Sequence, residues 1–245
     1  MKKIFAAAAI ALFMMTSCSD DDSSSNNNNT DVVLIKKAIE TYEDGSTLTS
    51  TFHYNGTKIS SIHHSDGAKT NFTYTGDNVT KIEYIEENEL SQRNVMTYDA
   101  QGRLTSVIEY VFDEQEPWAD KTVFTYNDNS TITTVKTTGN HTSQTDHVQD
   151  GVITVLGGNI TQYVTDSNTS TYSYDTKNSP EKNITGVAML NLSWQEGGVN
   201  NITAYNSEEF SEGYTATYTY NADNYPVTVS QNWGTETINI QYIYE

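Results

Sequence analysis

Phe52-His53-Tyr54-Asn55-Gly56-Thr57-Lys58-Ile59 is the stretch that decides the fold. Phe52 and Tyr54 are two positions apart, so on an extended strand both rings share one face. Asn55-Gly56 follows at once. It supplies the positive φ that a two-residue hairpin turn needs. A strand, a tight turn and the start of a second strand are therefore written in one short phrase.

The same phrase recurs along the chain. Aromatic-x-Tyr pairs stand at Phe52/Tyr54, Phe72/Tyr74, Phe124/Tyr126, Tyr172/Tyr174, Tyr218/Tyr220 and Tyr242/Tyr244, with Met96/Tyr98 as a variant. Two intervals between second members, Tyr126 to Tyr174 and Tyr174 to Tyr220, are about twice as long as the others. Read as double steps, they hold degenerate copies at Val148, before Asp150-Gly151, and at Trp194, paired with Leu192 and assigned to the core. Eight steps then lead from Tyr54 to Tyr244, a period of roughly 24 and the mark of stacked supersecondary units. Mid-period turns at Asp44-Gly45, Ser65-Asp66-Gly67, Gly139-Asn140 and Asp166-Ser167-Asn168 divide each period into two strands. The expectation is an all-β antiparallel meander of about 16–18 short strands. Only Ser179 to Gly186, with Pro180, suggests an irregular turn. Apolar pairs three apart, Ile59/Ile62, Val79/Ile82, Leu104/Val107, Ile132/Val135 and Val199/Ile202, cross faces in a regular strand. Either a bulge restores the face or both faces are covered.

Tyr98-Asp99-Ala100-Gln101-Gly102-Arg103-Leu104-Thr105-Ser106-Val107 resembles one unit of the YD repeat of Rhs-type proteins. The chain over residues 32–245 is similar to bacterial lipoproteins of unknown function described as having a porin-like fold. The resemblance implies a barrel-like or half-barrel sheet and brings no catalytic residues. A two-sheet sandwich stays open as the alternative. Strands such as Thr131–Thr138 offer only Ile132 and Val135, too little for the lipid-facing band of a membrane barrel.

Composition sharpens the picture. Lys+Arg number 13 against 32 Asp+Glu, a net charge of −19, and Leu, Ile, Val and Phe total 48 of 245 residues. Such values border on disorder. The 17 Tyr, 36 Thr and only 3 Pro favour strands instead. The charge argues against nucleic acid as a partner.

Lys2 and Lys3 precede the apolar run Ile4–Met15, and Met15-Thr16-Ser17-Cys18 resembles a bacterial lipobox. Residues 1–17 read as a cleaved lipoprotein signal peptide, and Cys18 as the lipidation site. Residues 18–31 read as a flexible acidic, Ser- and Asn-rich tether of roughly 20 Å reach. Residues 32–245 then form a single β-repeat domain. Loss of Lys2 and Lys3 with the signal peptide leaves 11 Lys+Arg against 32 acids, a net charge of −21. The acidic run after Cys18 resembles the surface-export signal of Bacteroidota-type lipoproteins, and Ser19 stands where an inner-membrane retention Asp is absent. The expected address is the outer membrane, lipid-anchored and on the cell surface, with the periplasmic face as the alternative.

Motifs for catalysis, nucleotide binding or calcium are missing from the sequence. The protein reads as a non-enzyme without cofactor or metal. It reads as a binding or accessory module for a glycan or peptide, or a scaffold docking an envelope protein; a hydrolase, for which no residue set is visible, is the last alternative. His63/His64, the pair His141 and His147, and the acid clusters Glu86-Glu87-Glu89 and Asp113-Glu114-Glu116 read as ordinary strand and loop polarity. Trp118 and Trp233 are the ligand-binding candidates, since exposed indole faces stack on sugar rings. Cys18→Ser should abolish incorporation of a labelled fatty acid and release the protein from the membrane fraction. An unchanged membrane fraction would remove the anchor.

Overall fold

The computed structural model describes residues 32–112, 116–208 and 213–245. Sixteen strands follow one another as a meander. They are β1 (Ile35–Thr41), β2 (Thr47–Asn55), β3 (Lys58–His64), β4 (Lys69–Thr75), β5 (Asn78–Glu86), β6 (Glu89–Tyr98), β7 (Leu104–Val111) and β8 (Trp118–Tyr126). The second half holds β9 (Thr131–Asn140), β10 (Ser143–Leu156), β11 (Asn159–Thr165), β12 (Thr169–Tyr174), β13 (Ile202–Ser207), β14 (Gly213–Tyr220), β15 (Pro226–Asn232) and β16 (Thr237–Tyr244). Each strand pairs with its sequence neighbours, and β16 pairs with β1, so the sheet closes into a barrel. Closure removes both sheet edges, which selects the barrel over the sandwich.

The repeat explains the wall. In the Tyr-Asp unit, the Asp99 carboxylate accepts the backbone N–H groups of Gln101 and Arg103, both at 2.9 Å, and pairs with the Arg103 side chain. Asn221 performs the same service after Tyr220, accepting from Asp223 and Tyr225. Bulges resolve the apolar spacing of three. Tyr54 lies opposite Ile59 but His53 opposite Ser61, so Ser60 is extra and both Ile59 and Ile62 turn inward. The Ser60 hydroxyl donates to the His53 carbonyl across the bulge. Thr80 takes the same place between Val79 and Ile82, and Thr105 lies at the matching register shift between Leu104 and Val107. Two of the five pairs behave otherwise. β8 and β9 pair without a shift, so Val135 faces outward at 37% exposure. Val199 lies outside the strands, also exposed.

Two degenerate copies are also placed differently from the sequence expectation. Val148 marks no turn: β10 runs straight through Asp150-Gly151, and the chain reverses at Gly157-Gly158. The anchor position there is Val155, opposite Ile160. Trp194 fills no strand position at all. It ends a short helix, α1 (Val187–Trp194), and is 38% exposed rather than core. The interval from Tyr174 to Tyr220 holds one hairpin connection, between β12 and β13, that has grown to run from Asp175 to Asn201. Ser179 to Gly186 does form irregular turns, with backbone bonds from Lys182 to Ser179 and from Ile184 to Glu181.

That connection is a plug. Sixteen strands about 4.8 Å apart and tilted about 40° enclose a cylinder of roughly 16 Å radius. Side chains alone cannot fill it. Leu190 and Leu192 of the plug pack on Val79, Ile82, Met96, Leu104, Phe124 and Ile153 from the inner wall of β5–β11. Ile184 packs on Ile35, Phe52, Val229 and Ile240 from β1–β3 and β14–β16. Both walls thus meet the plug, and Phe72 and Tyr74 of β4 touch both clusters. The plug lies at the end carrying the anchor tyrosines, where Thr185 bonds Thr57 and Asn183 bonds the Val33 carbonyl.

Above the apolar layer the inner wall turns polar: Glu40, Ser50, Thr70, Asn94, Thr134, Ser170, Ser207 and Gln231 are all buried. The outer face is largely Thr, Ser, Asn and Lys, as at Lys37, Thr51, His53, Thr73, Thr125 and Thr217. Val123, Val135, Val152 and Val164 are the apolar exceptions on that face. Leu192→Ala should lower unfolding stability by about 3 kcal/mol, and Tyr98→Phe by about 1 kcal/mol. Urea unfolding followed by tyrosine fluorescence measures both.

Candidate functional site

The tight Tyr-Asp and Asn-Gly turns and the plug close one end of the barrel. The loops β1–β2, β9–β10 and β15–β16 frame the other. Both tryptophans expected at a ligand site stand at that second end. Trp118 opens β8 opposite Val111 and is 38% exposed. Trp233 follows β15 and packs on Tyr214, ring centroids 4.6 Å apart. The two are not brought into one cluster: Trp118 begins β8, whereas the ring partner of Trp233 lies on β14.

Trp233 belongs to a larger feature. Strand pairing places Tyr172 opposite Tyr205 and Tyr205 opposite Tyr214. Their rings follow the pairing: Tyr172–Tyr205 stack at 5.2 Å, Tyr205–Tyr214 at 5.8 Å, and Trp233 completes the row. Four aromatic rings therefore run across β12, β13, β14 and the end of β15 on the inner wall. All four are half-buried, and the Trp233 Nε1 is buried without a hydrogen-bond partner. Sequence reading found Trp233 but missed the row. Tyr205 and Tyr214 lie outside the aromatic-x-Tyr phrase, and only the register reveals them as neighbours.

The plug presents Trp194, Glu181 and Glu196 to this interior. The Trp194 indole N–H donates to the Tyr84 hydroxyl on the inner wall of β5. Glu196 faces Tyr172, Tyr174 and Tyr214, whose hydroxyls are pushed up first by burial and then by its charge. Burial, reinforced by the Glu181 charge, raises the Glu196 carboxyl to about 7. Burial also raises Glu181, Glu109 and Glu40. Glu40 accepts a hydrogen bond from the Tyr42 hydroxyl at 2.8 Å. Glu109 shares its neighbourhood with the Lys136–Asp120 ion pair. His64 bonds the Ser50 hydroxyl, and burial holds its imidazole below the usual range.

The remaining histidines lie elsewhere. His63 points outward and packs on His53, opposite in direction to His64, as alternation requires. His141 packs edge-on against Tyr110 and Phe112, whereas His147 faces Asp150. No group of three or more His, Cys, Asp or Glu side chains suited to a metal occurs among the described residues. Glu86, Glu87 and Glu89 surround the β5–β6 turn. Cys18 and the pair Asp113 and Glu114 lie outside the described residues.

No family model and no curated protein matches this chain. Among solved structures, a porin-like protein from Bacteroides uniformis is similar. It is 14% identical, with a TM-score of 0.37, over 82% of this chain and 78% of that one.

The raised carboxyls set a pH dependence. Each binds its proton more tightly folded than unfolded, so their contribution to stability is present near pH 4.5 and falls as pH rises towards 7. Melting temperature should decline from pH 5 to 8. Glu196→Gln should flatten that slope and raise the melting temperature at pH 8. A variant whose profile overlays the wild type would place Glu196 in ordinary solvent.

Proposed function

We propose that this is a lipid-anchored cell-envelope protein of the outer membrane. It acts as a non-catalytic binding module whose ligand, a glycan or a peptide, enters the barrel interior from the unplugged end. The row Tyr172–Tyr205–Tyr214–Trp233 carries this reading. Aromatic rings in a folded core are normally covered by aliphatic neighbours. Tyr172 and Tyr214 do pack on the apolar clusters, yet all four rings stay half-buried, which leaves surface on which a ligand can stack.

The anchor fits this geometry. The described chain begins at the plugged end, where Leu34 pairs with Glu245 and the Val33 carbonyl binds Asn183. A lipid on Cys18 would thus set the plug towards the membrane and the mouth away from it, towards ligands arriving from outside. A scaffold role is the second reading. It rests on Val123, Val135, Val152 and Val164, exposed on the outer wall of β8–β11 where a partner protein could dock.

Immobilised glycan and peptide libraries probed with the wild type should return at least one class of binder. Trp233→Ala should weaken that binding about tenfold, while Trp118→Ala, at the rim, should change it less. Silence on every library, together with a stoichiometric partner co-purified from detergent, would favour the scaffold instead.

A further inference from the structure

A cleft of about 480 Å³ lies on the barrel rim where β13 ends, β14 begins and β15 ends. Small-ligand sites have volumes of about 300–1,000 Å³. The side chains of Asn206, Ser207, Tyr214, Thr215 and Asn232 line it. Two glycines complete the lining with bare backbone. At Gly213 a Cβ would stand 2.4 Å from the Tyr205 carbonyl oxygen, so a side chain has no room there. Gly234 takes a φ of 85°, and its N–H donates to the Asn232 carboxamide oxygen at 2.8 Å. The Ser207 hydroxyl donates to the Asn168 carboxamide oxygen at 3.1 Å, which leaves the Ser207 oxygen able to accept.

Tyr214 joins this cleft to the aromatic row. It lines the cleft and packs between Tyr205 and Trp233, with ring centroids at 5.8 and 4.6 Å. Neighbouring rings thus flank Tyr214 on both sides, and its edge and hydroxyl are what it offers to a ligand. Trp233 closes the row beside it, its backbone N–H donating to the Glu236 carbonyl at 2.9 Å.

The lining selects among ligand classes. The chain carries 32 Asp+Glu and 13 Lys+Arg, yet the described lining holds no charged residue. A phosphate, sulfate or uronate would find no counter-charge there, and exposed Glu208, directly after Ser207, would repel it. Peptides are held by main-chain pairing at a free strand edge or by pockets for apolar side chains. The closed barrel has no free edge, and the cleft is lined by one aromatic ring and no aliphatic side chain. Hydroxyls and carboxamides both donate and accept, as the hydroxyls of an uncharged sugar do.

We infer that the ligand is a neutral glycan and that one of its sugar units seats in this rim cleft, hydrogen-bonded by Asn206, Ser207, Thr215 and Asn232 beside the edge of Tyr214. The inference rests on the reading of the protein as a binding module. It names the ligand class and the place where that ligand is held.

The test uses the full mature protein on an array of neutral glucans, mannans, xylans and galactans, with uronate oligosaccharides and peptides alongside. At least one neutral glycan should bind, and its affinity should not change with salt, because no charge pair is formed. Titration with that glycan is then followed by tryptophan fluorescence, which Trp233 reports beside the cleft. Asn206→Ala combined with Thr215→Ala should weaken binding about tenfold, the loss of two modest hydrogen bonds. Both side chains are exposed, so the melting temperature of this double variant should stay that of the wild type. Binding of uronates or peptides alone would overturn the neutral glycan yet leave the protein a binding module. Equal affinity of wild type and double variant for the same neutral glycan would overturn the rim cleft as its seat. Silence across the whole array would overturn both this inference and the binding reading on which it rests.

Discussion

One bond recurs at the plugged end of the barrel and holds it in register. An anchor-region tyrosine donates its hydroxyl to a carbonyl of the preceding strand. Tyr54 donates to Ile35, Tyr98 to Val79, Tyr174 to Ile160, Tyr218 to Ile202 and Tyr244 to Pro226, all between 2.6 and 2.7 Å. A phenol carries its own hydrophobic surface and one donor at its tip. It can therefore fill the apolar layer and still satisfy a backbone carbonyl at the barrel end. Phe would leave that carbonyl unpaired, and Leu would not reach it. Tyr74 turns to the plug instead and donates to the Thr185 carbonyl. The ring of tyrosines thus ties strand to strand and, at Tyr74, wall to plug.

That role accounts for the composition. A chain poor in Leu, Ile, Val and Phe is able to fold because its tyrosines do two tasks at once. Barrel closure then turns a sheet wet on its outer face into a wall with a shared interior. So many strands make a cylinder too wide for side chains to fill, and the β12–β13 connection occupies it. Leu190, Leu192 and Ile184 give both walls something to pack on. The stability of the barrel and the shape of its interior therefore depend on that one connection.

How much of this was written in the sequence differs by element. The hairpins were legible wherever Tyr was followed by Asp or Asn and a glycine, because the turn chemistry is local. The bulges were legible only as a conflict of spacing, and the pairing register resolved it. The plug was not legible. Its Leu192-x-Trp194 imitates the strand phrase, yet Gly186 and Gln195, both in left-handed conformation, bound a short helix. Val148 misled for a related reason: Asp150-Gly151 looks like a turn. In the barrel Gly151 is instead the point where Tyr163 and Thr134 leave no room for a Cβ. Trp233 was visible as an isolated aromatic. Its row is built from Tyr172, Tyr205 and Tyr214, and the long plug separates Tyr172 from the other two in sequence, so no local pattern joins them.

The interior also explains why a polar layer would be kept where an apolar one would stabilise more. Replacing buried charged groups with packed apolar residues is often neutral or favourable for stability. Glu181 and Glu196 act in the opposite sense: burial makes each harder to ionise, and the Glu181 charge adds to the cost at Glu196. The plug could have presented leucines on both its faces. It presents Leu190 and Leu192 to β5–β11, and Trp194 and Glu196 to the space that remains. The plug is thus divided between a side that packs on the wall and a side that carries Trp194 and Glu196, and only the first adds to the apolar layer that holds the barrel together.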